Sequence, residues 1–262
     1  MSKTRTLIKK LIYKTFGEGV YARAYAKGKI KDIQQSSMDE AEFEFMHHFL
    51  RPKSTVLDIG ANYGHYAVEL AKKCPQGEVH AFEPIPFTFG VLERVKAHFR
   101  RSNLHLYHAA VSDQKGILKM NLPLLDFGAP NTGIAYIANE SGAQMKVETV
   151  ATLRIDDLQF KTPIDFIKID IEGHEPTAFV GMEKLILRDR PVILIEFSHA
   201  CLGRANEDPA LFARVIREKL NLEFTQLNEN KLAKIEAITP PDGYYFLIPT
   251  EKIATYKSLF TS

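Results

Sequence analysis

Hydrophobic positions along the chain follow two periods. Leu7, Ile8, Leu11, Ile12 and Phe16 recur at helical spacing, with Lys3, Lys9, Lys10 and Lys14 on the other side, which predicts a basic amphipathic helix. A basic, weakly patterned stretch follows to Gln35. Ser37-x-x-Glu40 then makes a capping box for a helix carrying Phe43, Met46, Phe49 and Leu50, which Pro52 ends. From there short apolar runs alternate with helical stripes. Strands are predicted over residues 55–59, 78–82 and 104–111, and helices over 66–74 and 87–99. Such alternation implies βαβ units and a mostly parallel sheet with helices on both faces.

Residues 114–160 break this rhythm. Residues 116–122 and 145–155 read as strands separated by a Gly-, Asn- and Pro-rich loop over 123–142. A loop of that length is usually functional or disordered. It is the candidate lid or substrate-recognition element, although a loose excursion would read the same way. The pattern resumes with a strand over 164–171 and a helix after Pro176 whose inward face is Ala178, Phe179, Met182, Leu185 and Ile186. A buried strand over 191–197 follows, then a helix capped by Asp208-Pro209. Two closing strands, 222–227 and 244–248, have no well-patterned helix between them, which suggests a hairpin and one antiparallel strand.

Length and composition refine this picture only in places. A chain of 262 residues fits one large α/β domain, read as an N-terminal helical extension over 1–52, a main domain over 53–250 and a tail over 251–262. The net charge of +2 says little, but residues 1–34 hold nine Lys/Arg against Glu18 and Asp32. Residues 1–16 could therefore lie on an anionic membrane surface, or dock their apolar face on the domain. Cys74 and Cys201 have no metal-like spacing, so neither a disulfide framework nor a zinc site is expected. No run of about 18 apolar residues exists and the N-terminus lacks an uninterrupted apolar core, so a cytoplasmic protein is expected, peripheral to the inner membrane face at most. No nucleic-acid partner is expected.

The densest chemistry lies in residues 54–66, STVLDIGANYGHY, a strand running through a glycine turn into a helix. The dinucleotide fingerprint G-x-G-x-x-G brings a pyrophosphate to such a turn. Here the pattern is D-x-G-x-x-x-G, with Asp58 before Gly60 and with Asn62 and Gly64 following. A carboxylate in that position repels a pyrophosphate but favours an ammonium or a sulfonium. S-adenosylmethionine (SAM) carries both and has no phosphate. A nicotinamide oxidoreductase is disfavoured for the same reason. Glu83-Pro84 closes the next strand, 25 positions after Asp58; nucleotide folds place the acid that accepts from the ribose hydroxyls at the end of the second strand, about 20 residues on.

The second dense motif is DFIKIDIEGHE over residues 165–175. Period-two alternation puts Lys168, Asp170 and Glu172 on one side, and Glu196 stands near the end of the following strand. Asp58, Glu83, Asp170, Glu172 and Glu196 would then crowd one edge of the sheet. Like charges in a crevice repel, so a cationic ligand, a metal or acid–base chemistry is implied.

VLDIGANYGHY, then FEPIP, then DFIKIDIEGHE, in that order and spacing, resembles the FkbM family of SAM-dependent methyltransferases. The resemblance covers roughly residues 55–197. It implies the Rossmann-like class I methyltransferase fold, a seven-stranded sheet with the last strand antiparallel. It further implies that Asp58, Gly60, Asn62 and Gly64 surround the methionine end of SAM, that Glu83 holds the ribose, and that Asp170 lies by the transfer site. The N-terminal helices and residues 114–160 are the parts least covered.

Methyl transfer from a sulfonium is an in-line displacement, so most of the work is alignment. An alcohol acceptor must also lose its proton to a base within hydrogen-bond reach. His174 is the first choice, then Glu172 or Glu196; the competing reading is that His174 merely caps the helix near Pro176. Asp170, Glu172 and Glu196 would suit Mg²⁺, but no dedicated ligand triad stands out and a metal is not favoured. The expected activity is O-methylation of a hydroxyl on a sugar, glycan or secondary metabolite. N-methylation of a small amine, or a SAM-binding module without transfer, are the alternatives.

Overall fold

In the computed structural model residues 3–35, 41–125, 127–129, 136–137 and 145–261 are described. Chain order begins α1 (Lys3–Gln34), α2 (Ala41–Phe45), β1 (Val56–Ile59), α3 (His65–Lys73), β2 (Val79–Phe82), α4 (Pro86–Phe99) and β3 (Leu104–Tyr107). Four strands of a second sheet follow: β4 (Ala110–Val111), β5 (Gly116–Pro123), β6 (Tyr136–Ile137) and β7 (Met145–Leu153). Then come β8 (Phe166–Ile169), α5 (Glu175–Gly181), α6 (Glu183–Asp189), β9 (Val192–Phe197), α7 (His199–Arg204) and α8 (Pro209–Arg214). The chain closes with β10 (Leu222–Asn228), β11 (Lys231–Lys234) and β12 (Gly243–Pro249). Among the described residues no helix is long and apolar enough to cross a membrane. The capping box at Ser37 and Glu40 and most of the loop over 123–142 lie outside the described residues.

The main sheet has the order β11-β10-β12-β9-β8-β1-β2-β3. β1, β2 and β8 are buried at every position, because helices cover both faces of the sheet. Continuous apolar runs, rather than alternation, follow from that. Leu57, Ile59, Ile167, Ile169, Ile193 and Ile195 pack with α5, α6 and α8 residues such as Phe179, Ile186 and Phe212 on one face. Val56, Phe166, Val192 and Leu194 pack with Phe43, Phe49 and Leu70 on the other. Asp58 pairs in register with Lys168, and Lys168 with Leu194, so the chemistry-bearing positions project to the α3 side.

Three expectations need correction. The sheet has eight strands, not seven, and two of them run antiparallel, not one: β12 inserts between β9 and β10, and β11 pairs antiparallel on the outer edge of β10. β11 has little strand signal because it is four residues long with a lysine at each end, a blunted edge strand. The weakly patterned stretch before Gln35 is the second half of α1, continuing past Gly17, whose backbone departs from helical geometry. Its buried positions are Tyr21, Ala22, Ala26 and Ile33, packed with Phe87, Val91 and Val95 of α4. A stripe of tyrosine and alanine among lysines is a weak periodic signal. The helix expected after Pro176 is two short helices meeting at Met182.

Candidate functional site

The carboxyl ends of β1, β2 and β8 open on a cavity of about 330 Å³. Ligands in open α/β sheets bind in this crevice. Its walls are the β1–α3 turn (residues 60–63), residues 83–85, residues 109–111, Leu118 and Met120 of β5, and the loop over 170–174, with Lys29 of α1 at one side.

The β1–α3 turn can lie this close to β8 only because residue 60 is glycine. Its φ is +81°, and a Cβ there would overlap the Asp170 carbonyl oxygen. The turn delivers the Asn62 N–H to Glu83 Oε2 at 3.0 Å, and the Ile85 N–H donates to Oε1 at 2.8 Å. Glu83 is 5% exposed. Burial pushes its carboxyl up to about 7, outweighing the two N–H groups that favour the charge. Each oxygen keeps lone-pair capacity for a further donor.

Asp58 is fully buried and is not part of the cavity wall. Among the described residues neither of its carboxylate oxygens has a hydrogen-bond partner; the Ala67 N–H favours its charge without reaching bonding geometry. Burial raises its pKa to about 6, against the pull of Lys168. Lys168 is the counter-ion of the site: its Nζ lies 3.4 Å from Asp170 Oδ2 and from the Gly60 carbonyl, and 5.1 Å from the Tyr66 ring centre. Gly64 also lies outside the wall and serves packing, since a Cβ there would strike Leu92.

The loop after β8 is held from within by Glu175, which accepts from the Ile171 N–H at 2.8 Å and the Gly173 N–H at 3.0 Å. Glu172 lines the cavity but accepts from Cys201 Sγ at 3.3 Å and Arg204 Nη2 at 3.1 Å. Glu196 is not in the wall; it shares a hydrogen bond with Asp170, and burial followed by the Asp170 and Glu172 charges pushes it up to about 7. The acids thus do not form a bare cluster, because Lys168 and Arg204 are interleaved with them. Among the described residues no group of three or more His, Cys, Asp or Glu is placed to hold a metal ion.

His174 lines the cavity and occupies the N-cap position of α5, yet makes no side-chain cap hydrogen bond. Its Nε2 lies 3.1 Å from Ser112 Oγ, and the Ser112 hydroxyl donates to Asp113 Oδ1 at 3.2 Å. The serine proton being committed, Nε2 is the donor and Nδ1 keeps the free lone pair. Burial lowers the His174 pKa to about 4, so the ring is neutral near pH 7.

The structure brings Gly60, Asn62, Glu83, Pro84, Asp170, Glu172 and His174 to one cavity, and leaves Asp58, Gly64 and Glu196 behind its wall. Lys29, Glu175, Leu118 and Met120 were not singled out for the site from the sequence, and the Ser112-Asp113 turn, expected against a bound adenine, lies outside the wall with Ser112 against His174. Only Glu175 carried a signal, as the last acid of its motif.

Residues 58–223, more than half of the chain, match the family model described as the methyltransferase FkbM domain. The chain belongs to the FkbM methyltransferase family. One relative, the 31-O-demethyl-FK506 methyltransferase FkbM of Streptomyces tacrolimicus, is 39% identical over 71 residues, which cover 27% of each chain. Methyltransferase 1 of Beauveria bassiana is 24% identical over 180 residues, 63% of this chain and 72% of its own. The crystal structure of methyltransferase FkbM from Methylobacillus flagellatus KT aligns with a TM-score of 0.49 at 16% identity, over 75% of this chain and 44% of that one. The FkbM chain described here therefore spans less than half the length of the first curated relative and of that solved structure.

Proposed function

We propose that the chain transfers a methyl group from SAM to a hydroxyl of a sugar, glycan or secondary metabolite. The observation that carries this reading is Glu83: a carboxylate fixed by two backbone N–H groups at the wall of a cavity beyond the parallel strands, with acceptor capacity left for a vicinal diol. The residues fit the cofactor in two further respects. Gly60 lets the β1–α3 turn close against the Asp170 carbonyl and so shape the cavity between β1 and β8, and Asp58 is a buried carboxylate with unpaired oxygens behind the turn, a standing negative potential for a cationic donor.

SAM would supply an electrophilic methyl group on a sulfonium. The chain's own residues would hold and orient it: the residue 60–63 turn and Asp170 at the amino-acid end, Glu83 at the ribose, and residues 109–111 with Leu118 and Met120 along the apolar wall. His174 would take the acceptor proton at Nδ1, and its Nε2–H bond to Ser112 would fix the ring for that role. Asp170, paired with Lys168, and Glu172, paired with Arg204, are the alternative acceptors among the wall residues. The Streptomyces relative is named for a 31-O-demethyl acceptor, which favours oxygen over nitrogen. Labelled methyl transfer from SAM into panels of glycans, metabolite alcohols and small amines tests this. Label in amines alone would replace the hydroxyl reading, and binding of S-adenosylhomocysteine without any transfer would reduce the chain to a binding module.

The expected peripheral contact is part of the same proposal. Leu7, Leu11 and Phe16 are 67%, 65% and 62% exposed, amid the lysines of α1, a composition suited to an anionic lipid surface. Co-sedimentation with phosphatidylglycerol vesicles should be lost in Leu7→Asp/Leu11→Asp; equal sedimentation of both proteins would remove this contact.

A further inference from the structure

Lys29, on the second half of α1, reaches the cavity wall beside Tyr63 and His65, at the turn between β1 and α3. Its side chain is 25% exposed. Its ammonium lies 5.2 Å from the Tyr63 ring centre and 5.8 Å from that of Tyr25, and its one charged partner among the described residues is Asp32 at 3.7 Å. Aromatic faces hold a cation in place without consuming its hydrogen-bond donors. Lys168, the other cationic side chain of the wall, is already engaged with Asp170, the Gly60 carbonyl and the Tyr66 ring.

Charge then fixes how an amino acid could lie in the cavity. The Glu83 end and the Asp170–Glu172 end would each repel a carboxylate. The Lys29 side would attract one, and it adjoins the first turn of α3, which has no side-chain cap at Gly64 and whose dipole favours an anion. The Lys29 charge already acts across this space, adding to burial in holding His65 below its ordinary range.

We infer that Lys29 binds the carboxylate at the amino-acid end of the methyl donor, so that the N-terminal helix completes the cofactor site. The inference rests on the donor reading given under Proposed function. It makes α1, which lies outside the matched residues 58–223, part of the binding machinery.

Titration calorimetry on the full chain with two ligands tests it: S-adenosylhomocysteine, which has the amino-acid end, and 5′-methylthioadenosine, which lacks it. Lys29→Met should weaken S-adenosylhomocysteine about 10- to 100-fold, the range for a charge-assisted hydrogen bond, and leave methylthioadenosine unchanged. Lys29→Arg should recover most of the loss. Unchanged S-adenosylhomocysteine affinity in Lys29→Met, or equal loss for both ligands, would overturn the assignment. A wild-type chain that binds neither ligand would instead defeat the donor reading, and this inference with it.

Discussion

Glu83 and His174 are displaced from their ordinary pKa values in opposite directions by the same cause, loss of water. For the carboxyl at Glu83 this raises the pKa to about 7, so cofactor binding should depend on pH near neutrality. The sign is fixed by chemistry: the ionised group accepts from both ribose hydroxyls more strongly than the neutral acid, whose O–H makes one oxygen a donor. Affinity for S-adenosylhomocysteine is expected to fall as pH drops from about 8 through 7. Glu83→Gln should weaken binding by about 1.5–3 kcal/mol at pH 8 and flatten that dependence, as read by calorimetry across pH. Without ligand, a raised carboxyl contributes stability at low pH that is lost as pH rises through its folded value, so Asp58, Glu83 and Glu175 all oppose the folded state above about 7. Binding of a cationic ligand would offset this. His174, lowered to about 4, is neutral throughout pH 6–8, and turnover should be flat there if it is the base. His174→Ala should lower turnover about 10²–10⁴-fold with S-adenosylhomocysteine affinity nearly intact. Wild-type turnover in that variant would pass the proton to Asp170, Glu172 or solvent.

Among the elements, the strand–turn–helix from β1 to α3 was the most legible part of the sequence. Its apolar run, its glycines and the acid before them all have local causes. Gly60→Ala is expected to cost about 1–3 kcal/mol through positive φ, and more from overlap with the Asp170 carbonyl. A melting temperature within a degree of wild type would contradict the close approach described. α1 was legible only in its first half, where leucine and isoleucine mark the stripe. Its second half buries Tyr21, Ala22 and Ala26, residues that carry little hydrophobic contrast against the lysines around them. The contact that matters for the site, Lys29, sits there. Which acids reach the cavity could not be read either. Alternation assigns a face, but not whether Glu196 reaches the wall; it hydrogen-bonds Asp170, which does.

At the level of the whole molecule, the sequence order of βαβ units dictated the parallel core, with β1 between β2 and β8. The closing strands were harder, because β12 pairs with a strand distant in sequence, β9, as well as with β10. The cavity draws on segments from Lys29 to His174, and only three of them announced themselves as motifs. The proposal makes one site of them through a single requirement, a phosphate-free adenosyl amino acid held between Glu83 and Asp170. Titration of the full chain with S-adenosylhomocysteine and, separately, with NAD tests that requirement most directly. Saturable one-to-one binding of S-adenosylhomocysteine and none of NAD is the predicted result; NAD binding in its place would contradict the account.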